Sequence, residues 1–265
     1  LAASAAAGRT AAAVVSADAS GTVISWPIFD EEEDGGDLVP RGVSQDADKA
    51  TSFGSAFHLC AQYAIETGHI PSARRREIIA AGQGISMDSG GTSTRNLAAL
   101  NDALDRWFAS SAYAFAVEAP FARAEMPLFC EVEPGCYLEG SIDLLCADDA
   151  AGPVSGGQVT LFDYKTGGSS DEDEEALHRK HLLQAQCYAF ALLERGCASV
   201  DAVFVRVQHE PRAHRMPALG GFADPARFTD LDTVSYRFSA ADLPKLRSTI
   251  ARAIRAHLRL ADEKR

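Results

Sequence analysis

Gly140-Ser141-Ile142-Asp143 and Leu161-Phe162-Asp163-Tyr164-Lys165-Thr166 are two short, largely apolar runs, each of which delivers a carboxylate near its end. Side chains alternate along a strand, so Asp163 and Lys165 are expected to project together while Tyr164 faces the other way. Neighbouring strands of a hairpin lie about 4.8 Å apart, close enough to bring Asp143 onto the same face. Two acids beside one ammonium make chemical sense around a hard divalent cation. Mg²⁺ takes oxygen ligands, keeps several waters, polarises a phosphoryl group and lowers the pKa of bound water. A lysine beside it can orient the attacking water or stabilise charge on phosphoryl oxygens. An exposed strand end with a surface ion pair would also write Asp-x-Lys. The preceding Gly-x-x-Asp at hairpin distance favours a site.

Working outward, Ala122–Val132, Gly135–Cys146 and Gln158–Lys165 alternate or run apolar between glycine-rich turns and predict three strands. Upstream, apolar residues recur at helical spacing from Thr51 to Glu66 (Phe53, Phe57, Ala61, Ile65), and further helices are predicted over Ser72–Ala81 and Thr94–Ser110. Downstream come a helix over Ala176–Arg195, a strand over Val200–Gln208, an edge strand over Thr233–Phe238, and a last helix. Ser239 is its expected N-cap, with Asp242 completing a capping box. Residues 1–20 read as a weak Ala-rich helix or tail, followed by an acidic loop. The expected fold class is α/β: a central mixed sheet flanked by helices, with an N-terminal helical region. The expected division is a segment 1–50 and a main domain 51–265, made of a helical part 51–118, an α/β core 119–210 and a C-terminal strand and helix 211–265.

Composition bounds the function. The chain has 265 residues, 46% hydrophobic and 23% charged, which is ordinary for a globular protein. No apolar run approaches the roughly 20 residues that span a bilayer, and the start is a poor signal peptide, so a cytoplasmic protein without a membrane partner is expected. The chain opens on Leu1 rather than Met, which reads as a piece of a longer polypeptide. The net charge of −12 argues at first against nucleic acid, yet eleven of the 37 acids sit in Asp30–Asp37 and Asp171–Glu175. The remaining 26 acids nearly balance 25 Lys and Arg, so local basic patches decide the matter. Arg74, Arg75 and Arg76 form one such patch; Arg206, His209, Arg212, His214 and Arg215 form another, and both are candidates for phosphate contact. The acidic run just after Lys165 is expected to swing away from any DNA. Six cysteines without a CxxC pair argue against an iron–sulfur or zinc cluster and read as buried thiols. There is no G-x-x-x-x-G-K-[ST], so no ATP site is expected.

Five short motifs then occur in order: Gly54-Ser55-Ala56-Phe57-His58 (G-x-x-x-H), Arg123-Ala124-Glu125-Met126-Pro127 (R-x-E-x-P), Gly140–Asp143 (G-x-x-D), Asp163-Tyr164-Lys165-Thr166 (D-Y-K-T) and Gln184–Tyr188 (Q-x-x-x-Y). Together they resemble the C-terminal nuclease domain of RecB/AddA-type helicase–nucleases, a branch of the PD-(D/E)xK nucleases. The resemblance covers about Thr51 to Gln208, and His181 stands where that pattern often has Tyr. It implies that His58, Asp143, Asp163 and the Tyr164 carbonyl bind Mg²⁺ or Mn²⁺, and that Lys165 is the catalytic lysine. Gln184 and Tyr188 would contact the DNA backbone or brace the catalytic strand, and Glu125 would support the site from behind its ligands. It also implies a metal-dependent deoxyribonuclease acting on single strands during double-strand break repair and recombination. The helicase would be part of the same polypeptide, and a partner nuclease/helicase subunit would assist. The rival expectations are a stand-alone exonuclease of the same superfamily and a catalytically silent DNA-channel or docking domain.

Overall fold

The computed structural model describes residues 15–18, 21–25, 45–85, 91–170, 172–212 and 227–263; side chains are described within 52–85, 95–170, 172–212 and 227–256. Two short strands, β1 (Val15–Asp18) and β2 (Gly21–Ser25), precede four helices, α1 (Gln45–Thr67), α2 (Ala73–Gly82), α3 (Gly91–Ala109) and α4 (Ser111–Glu118). Then follow β3 (Phe121–Glu133), β4 (Cys136–Ala147), β5 (Gln158–Lys165), α5 (Glu174–Glu194), β6 (Ser199–Arg206), β7 (Thr233–Ser239) and α6 (Leu243–Glu263).

The strands form one mixed seven-stranded sheet in the order β1-β2-β4-β5-β6-β7, with β3 also paired to β4. β3 and β4 are a long antiparallel hairpin whose turn carries Gly135 at φ 75°. β4 has two partners on its opposite edge. β2 runs parallel to it along Cys136–Glu139, and β5 antiparallel along Leu144–Ala147. The stretch between, residues 140–143, has no strand partner on that edge among the described residues, and this is where β4 and β5 diverge. The gap places Asp143 at an opening in the sheet.

One face of the sheet buries Leu138, Ile142, Val159, Leu161 and Phe204 against α5 and α6. The other buries Leu144, Cys146, Phe162 and Tyr164 against α1, α3 and α4. α1 presents Phe53, Phe57, Cys60, Ala61 and Ala64 to this second core, the spacing of a single helical stripe. The architecture is the α/β mixed sheet flanked by helices that the sequence predicts. No helix among the described residues is long and apolar enough to cross a membrane.

Three local expectations change. Val15–Asp18 is a strand rather than helix or tail, so β1 and β2 extend the sheet beside β4. α1 begins at Gln45, six residues before the apolar periodicity does. Residues 111–118, which carry no predicted element, form α4; the Ser110 side chain closes α3 and caps α4 by accepting from Tyr113 N–H at 3.1 Å. At the other end, Ser239 and Asp242 form the expected capping box ahead of α6.

Candidate active site

Alternation breaks where β3 and β4 pass the gap. On β3, Ala122 packs toward the α1 side, whereas Met126 and Leu128, also even-numbered, pack toward α5 and α6. On β4, Ile142 faces α5 but Leu144 faces α1. The switch falls at Glu125 and Asp143, which the flanking pairs Ala124↔Leu144 and Met126↔Ile142 place opposite each other. Glu125 has φ 48°, the one non-glycine residue in the left-handed region among those described. Strain of this kind persists where the surrounding structure imposes it, and here it turns the Glu125 carboxylate toward α1.

His58 meets it from α1. Its Nδ1 lies 3.5 Å from Asp143 Oδ1 and 3.8 Å from Glu125 Oε1, while its Nε2 is 3.3 Å from the Tyr164 carbonyl. An Nε2–H donated to that carbonyl would leave the Nδ1 lone pair facing the acids, the arrangement typical of a metal-binding histidine. His58, Glu125 and Asp143 offer ligand atoms that all lie within 4.8 Å of one another, so this set can hold a metal ion. The donor chemistry, two carboxylates and one imidazole, suits Mg²⁺ or Mn²⁺. Asp143 Oδ2 also accepts from Tyr164 N–H at 2.6 Å, which ties the divergent ends of β4 and β5 together.

The electrostatics point the same way. Burial works against a charged His58, but Asp143, Glu125 and Asp163 outweigh it and raise its pKa to about 9. Burial pushes Asp143 up to about 7, against the pull of the His58 imidazolium. Without a metal, the imidazolium is the counter-charge of this acidic cluster. A divalent cation would take over that role and compete with the proton on His58.

Asp163 belongs to a second, adjoining network. It is 4% exposed on the α5 side of β5. Its Oδ2 accepts from Gln184 Nε2 at 3.0 Å and from the Tyr188 hydroxyl at 2.9 Å. Lys165 Nζ sits 3.1 Å from Asp163 Oδ1 and donates to Gln184 Oε1 at 2.8 Å. Gln184 thus clasps both members of Asp-x-Lys, and Tyr188, also within reach of the Ser141 carbonyl at 3.1 Å, links them to β4. The geometry has Gln184 and Tyr188 bracing the end of β5. Tyr164 faces the opposite way, with its ring 4.9–5.4 Å from those of Trp107, Phe57 and His58. Gly54 lets α1 approach: a Cβ there would lie 3.0 Å from Thr166 Oγ1.

Several sequence expectations are revised by this arrangement. Glu125, expected behind the ligands, is grouped with His58 and Asp143 in the set that could hold a metal, whereas Asp163 lies outside that compact set. The Tyr164 carbonyl faces His58 Nε2. Arg206 is 3% exposed and committed to Asp232 at 2.9 Å, Glu172 at 3.0 Å and the Ser169 carbonyl at 2.6 Å, so it is buried away from any phosphate. Arg212 turns to Asp232 and to the Glu172 carbonyl, and His209 Nε2 lies 2.9 Å from the Gly167 carbonyl. The loop after Lys165 is therefore strapped down through Glu172 rather than swung away. Arg76 bridges to Asp105 across α2 and α3, leaving Arg74 and Arg75 as the exposed members of their run. Arg215 and His214 lie outside the described residues.

Two expected results follow. At a left-handed backbone position glycine avoids a cost of about 1–2 kcal/mol that alanine bears. Glu125→Gly should therefore melt above Glu125→Ala in metal-free buffer, the reverse of the usual order in a strand, with both losing metal-induced stabilisation. Equal melting temperatures would remove the argument for strain. The Tyr164 hydroxyl is buried without a hydrogen-bond partner among the described residues. Tyr164→Phe should then retain cleavage and be neutral or more stable by up to about 1 kcal/mol, since it removes an unpaired polar group. A loss above that in denaturant melts would mean the hydroxyl is satisfied.

No curated protein matches the chain. The profile of the PD-(D/E)XK nuclease superfamily, in contrast, matches residues 32–264, a span that takes in His58, Glu125, Asp143, Asp163, Lys165 and Gln184, and the chain belongs to that superfamily.

Proposed function

We propose that the chain is the metal-dependent deoxyribonuclease domain of a RecB/AddA-like helicase–nuclease, an exonuclease cutting DNA single strands during double-strand break repair and recombination. The observation that carries this reading is the meeting, at the opening between β4 and β5, of the His58–Glu125–Asp143 set with the braced Asp163–Lys165 pair. The order of the five motifs supports the RecB/AddA branch. In this reading residues 51–265 form the nuclease domain, a helicase part lies in the same polypeptide, a partner nuclease/helicase subunit assists, and the protein works in the cytoplasm.

His58, Glu125 and Asp143 would hold Mg²⁺ or Mn²⁺, with Asp163 supplying a further carboxylate beside them. The bound cation would supply Lewis acidity toward a phosphoryl oxygen and lower the pKa of water. Lys165, held by Gln184 and Asp163, orients the attacking water and stabilises charge growing on the phosphate. Tyr188 and Gln184 keep Asp163 and Lys165 in register, since small misplacements at a reacting centre cost rate steeply.

The test is cleavage of end-labelled single-stranded DNA by the purified chain with Mg²⁺, Mn²⁺ or EDTA. Cutting that needs metal and no ATP supports the reading. Metal binding without cutting would favour a silent docking domain. Processive cutting from ends without any helicase subunit would favour a stand-alone exonuclease.

A further inference from the structure

On β3 and β4, Leu128, Val132, Leu138 and Ile142 turn into the α5/α6 core, so the alternate residues Phe129, Tyr137 and Ser141 point to the opposite side of the sheet. Phe129 is 53% exposed, and its ring stacks on that of Tyr137 with centroids 5.2 Å apart and planes 12° apart. The register pairs Phe129 with Glu139 and Tyr137 with Glu131, which makes the two rings diagonal cross-strand neighbours. Ser141, on the same side, donates its hydroxyl to Glu125 Oε2 at 3.1 Å. The aromatic pair and the His58–Glu125–Asp143 set therefore share one face of the sheet. Phe129 is four residues from Glu125, and Tyr137 four from Ser141. Both separations are about 13 Å at a strand's rise per residue.

We infer that Phe129 and Tyr137 form a base-stacking platform for a single-stranded nucleic acid whose backbone continues to the acidic set, an inference that rests on the nuclease reading. A span of about 13 Å accommodates roughly four stacked nucleotides at 3.4 Å each. Stacking on an aromatic face needs no cation and is open to every base. The acids around the rings sharpen the preference. Glu131, which accepts from Gly135 N–H at 2.9 Å, and Glu139 would repel a phosphate but not a base. The platform thus suits a strand whose bases are exposed, and it rejects a duplex, which presents phosphates outward.

The test uses the parent chain and the Phe129→Ala/Tyr137→Ala double variant, both checked for folding by thermal melting. Fluorescence anisotropy reads binding of labelled oligo-dT and of a hairpin duplex, with Ca²⁺ in place of Mg²⁺. Steady-state assays compare kcat/KM for oligo-dT with kcat/KM for bis(4-nitrophenyl) phosphate, which is too small to reach the rings. The expected result is a tenfold or greater loss of oligo-dT binding, a matching fall in the ratio of the two kcat/KM values, and recovery in Phe129→Trp. Unchanged oligo-dT binding, or an equal loss for the duplex, would overturn the platform. A parent that hydrolyses neither substrate yet shows the aromatic-dependent binding would sink the nuclease reading and leave the platform standing.

Discussion

Lys165→Ala is expected to lower metal-dependent DNA cleavage by about 10²–10³-fold while leaving metal-induced thermal stabilisation in place. The two effects separate because the ammonium and the candidate metal ligands belong to different networks. Lys165 Nζ is held by Gln184 Oε1 at 2.8 Å and Asp163 Oδ1 at 3.1 Å. The set that could hold a cation is His58, Glu125 and Asp143, which does not include Lys165. Removing the ammonium deletes charge stabilisation at the phosphate without deleting a ligand. Lys165→Arg should restore little, because a planar fork cannot replace a compact point charge in the clasp of Gln184. Gln184→Leu should cost less, on the order of tenfold, since the ammonium stays but loses the Gln184 oxygen that helps hold it. Single-turnover cleavage together with melting curves with and without Mg²⁺ reads both quantities. A Lys165→Ala enzyme cutting within threefold of the parent, or one that no longer gains stability from metal, would show that the roles are wrongly divided.

Much of this site was legible before the fold, and the reason is periodicity. Asp163 and Lys165 had to share a face because they are two apart on a strand, and Gln184 and Tyr188 had to share one because they are a helical turn apart. The sheet's strands were readable for the same reason. What periodicity cannot carry is register. A tight hairpin at Pro134-Gly135 that continued the pairing Glu133↔Cys136 would set Met126 opposite Asp143, but the register shifts between Glu131 and Glu133. That one-residue slip brings Glu125 across from Asp143, and its left-handed backbone turns the carboxylate to His58. Glu125 therefore looked like support and is placed with His58 and Asp143 in the set that could hold a metal. Arg206 was misread for a related reason. A basic cluster in sequence resembles a phosphate-binding patch, whereas its alternation within β6 sends this arginine inward, where Asp232 and Glu172 meet it from distant segments. The early strand β1 was hidden by the alanine-rich stretch that leads into it, which favours helix unless a neighbouring strand offers pairing.

The inward turn of Arg206 has the largest expected consequence for stability. Burial disfavours its charged form, and Asp232 offsets that most strongly. Both side chains are 3% exposed, and the pair is reinforced by Arg206 N–H donating to the Asp232 carbonyl at 2.9 Å. Asp232→Ala leaves the guanidinium buried with Glu172 as its remaining acid, so the loss should be about 3–5 kcal/mol. For a chain of this size that corresponds to a Tm fall of roughly 6–20 °C. Replacing both partners, Arg206→Met with Asp232→Leu, should cost much less, because no unpaired charge is left behind. The same arginine holds the Ser169 carbonyl and Glu172, which anchor the loop leaving Lys165. Asp232→Ala should therefore also slow cleavage at temperatures well below its Tm, while Arg212→Ala, at a partly exposed position, should do neither strongly. A double-mutant cycle in urea, with cleavage measured on the same proteins, decides the matter. If Asp232→Ala melted within 2 °C of the parent, water would have to reach Arg206 and the strap on the loop leaving Lys165 would not exist.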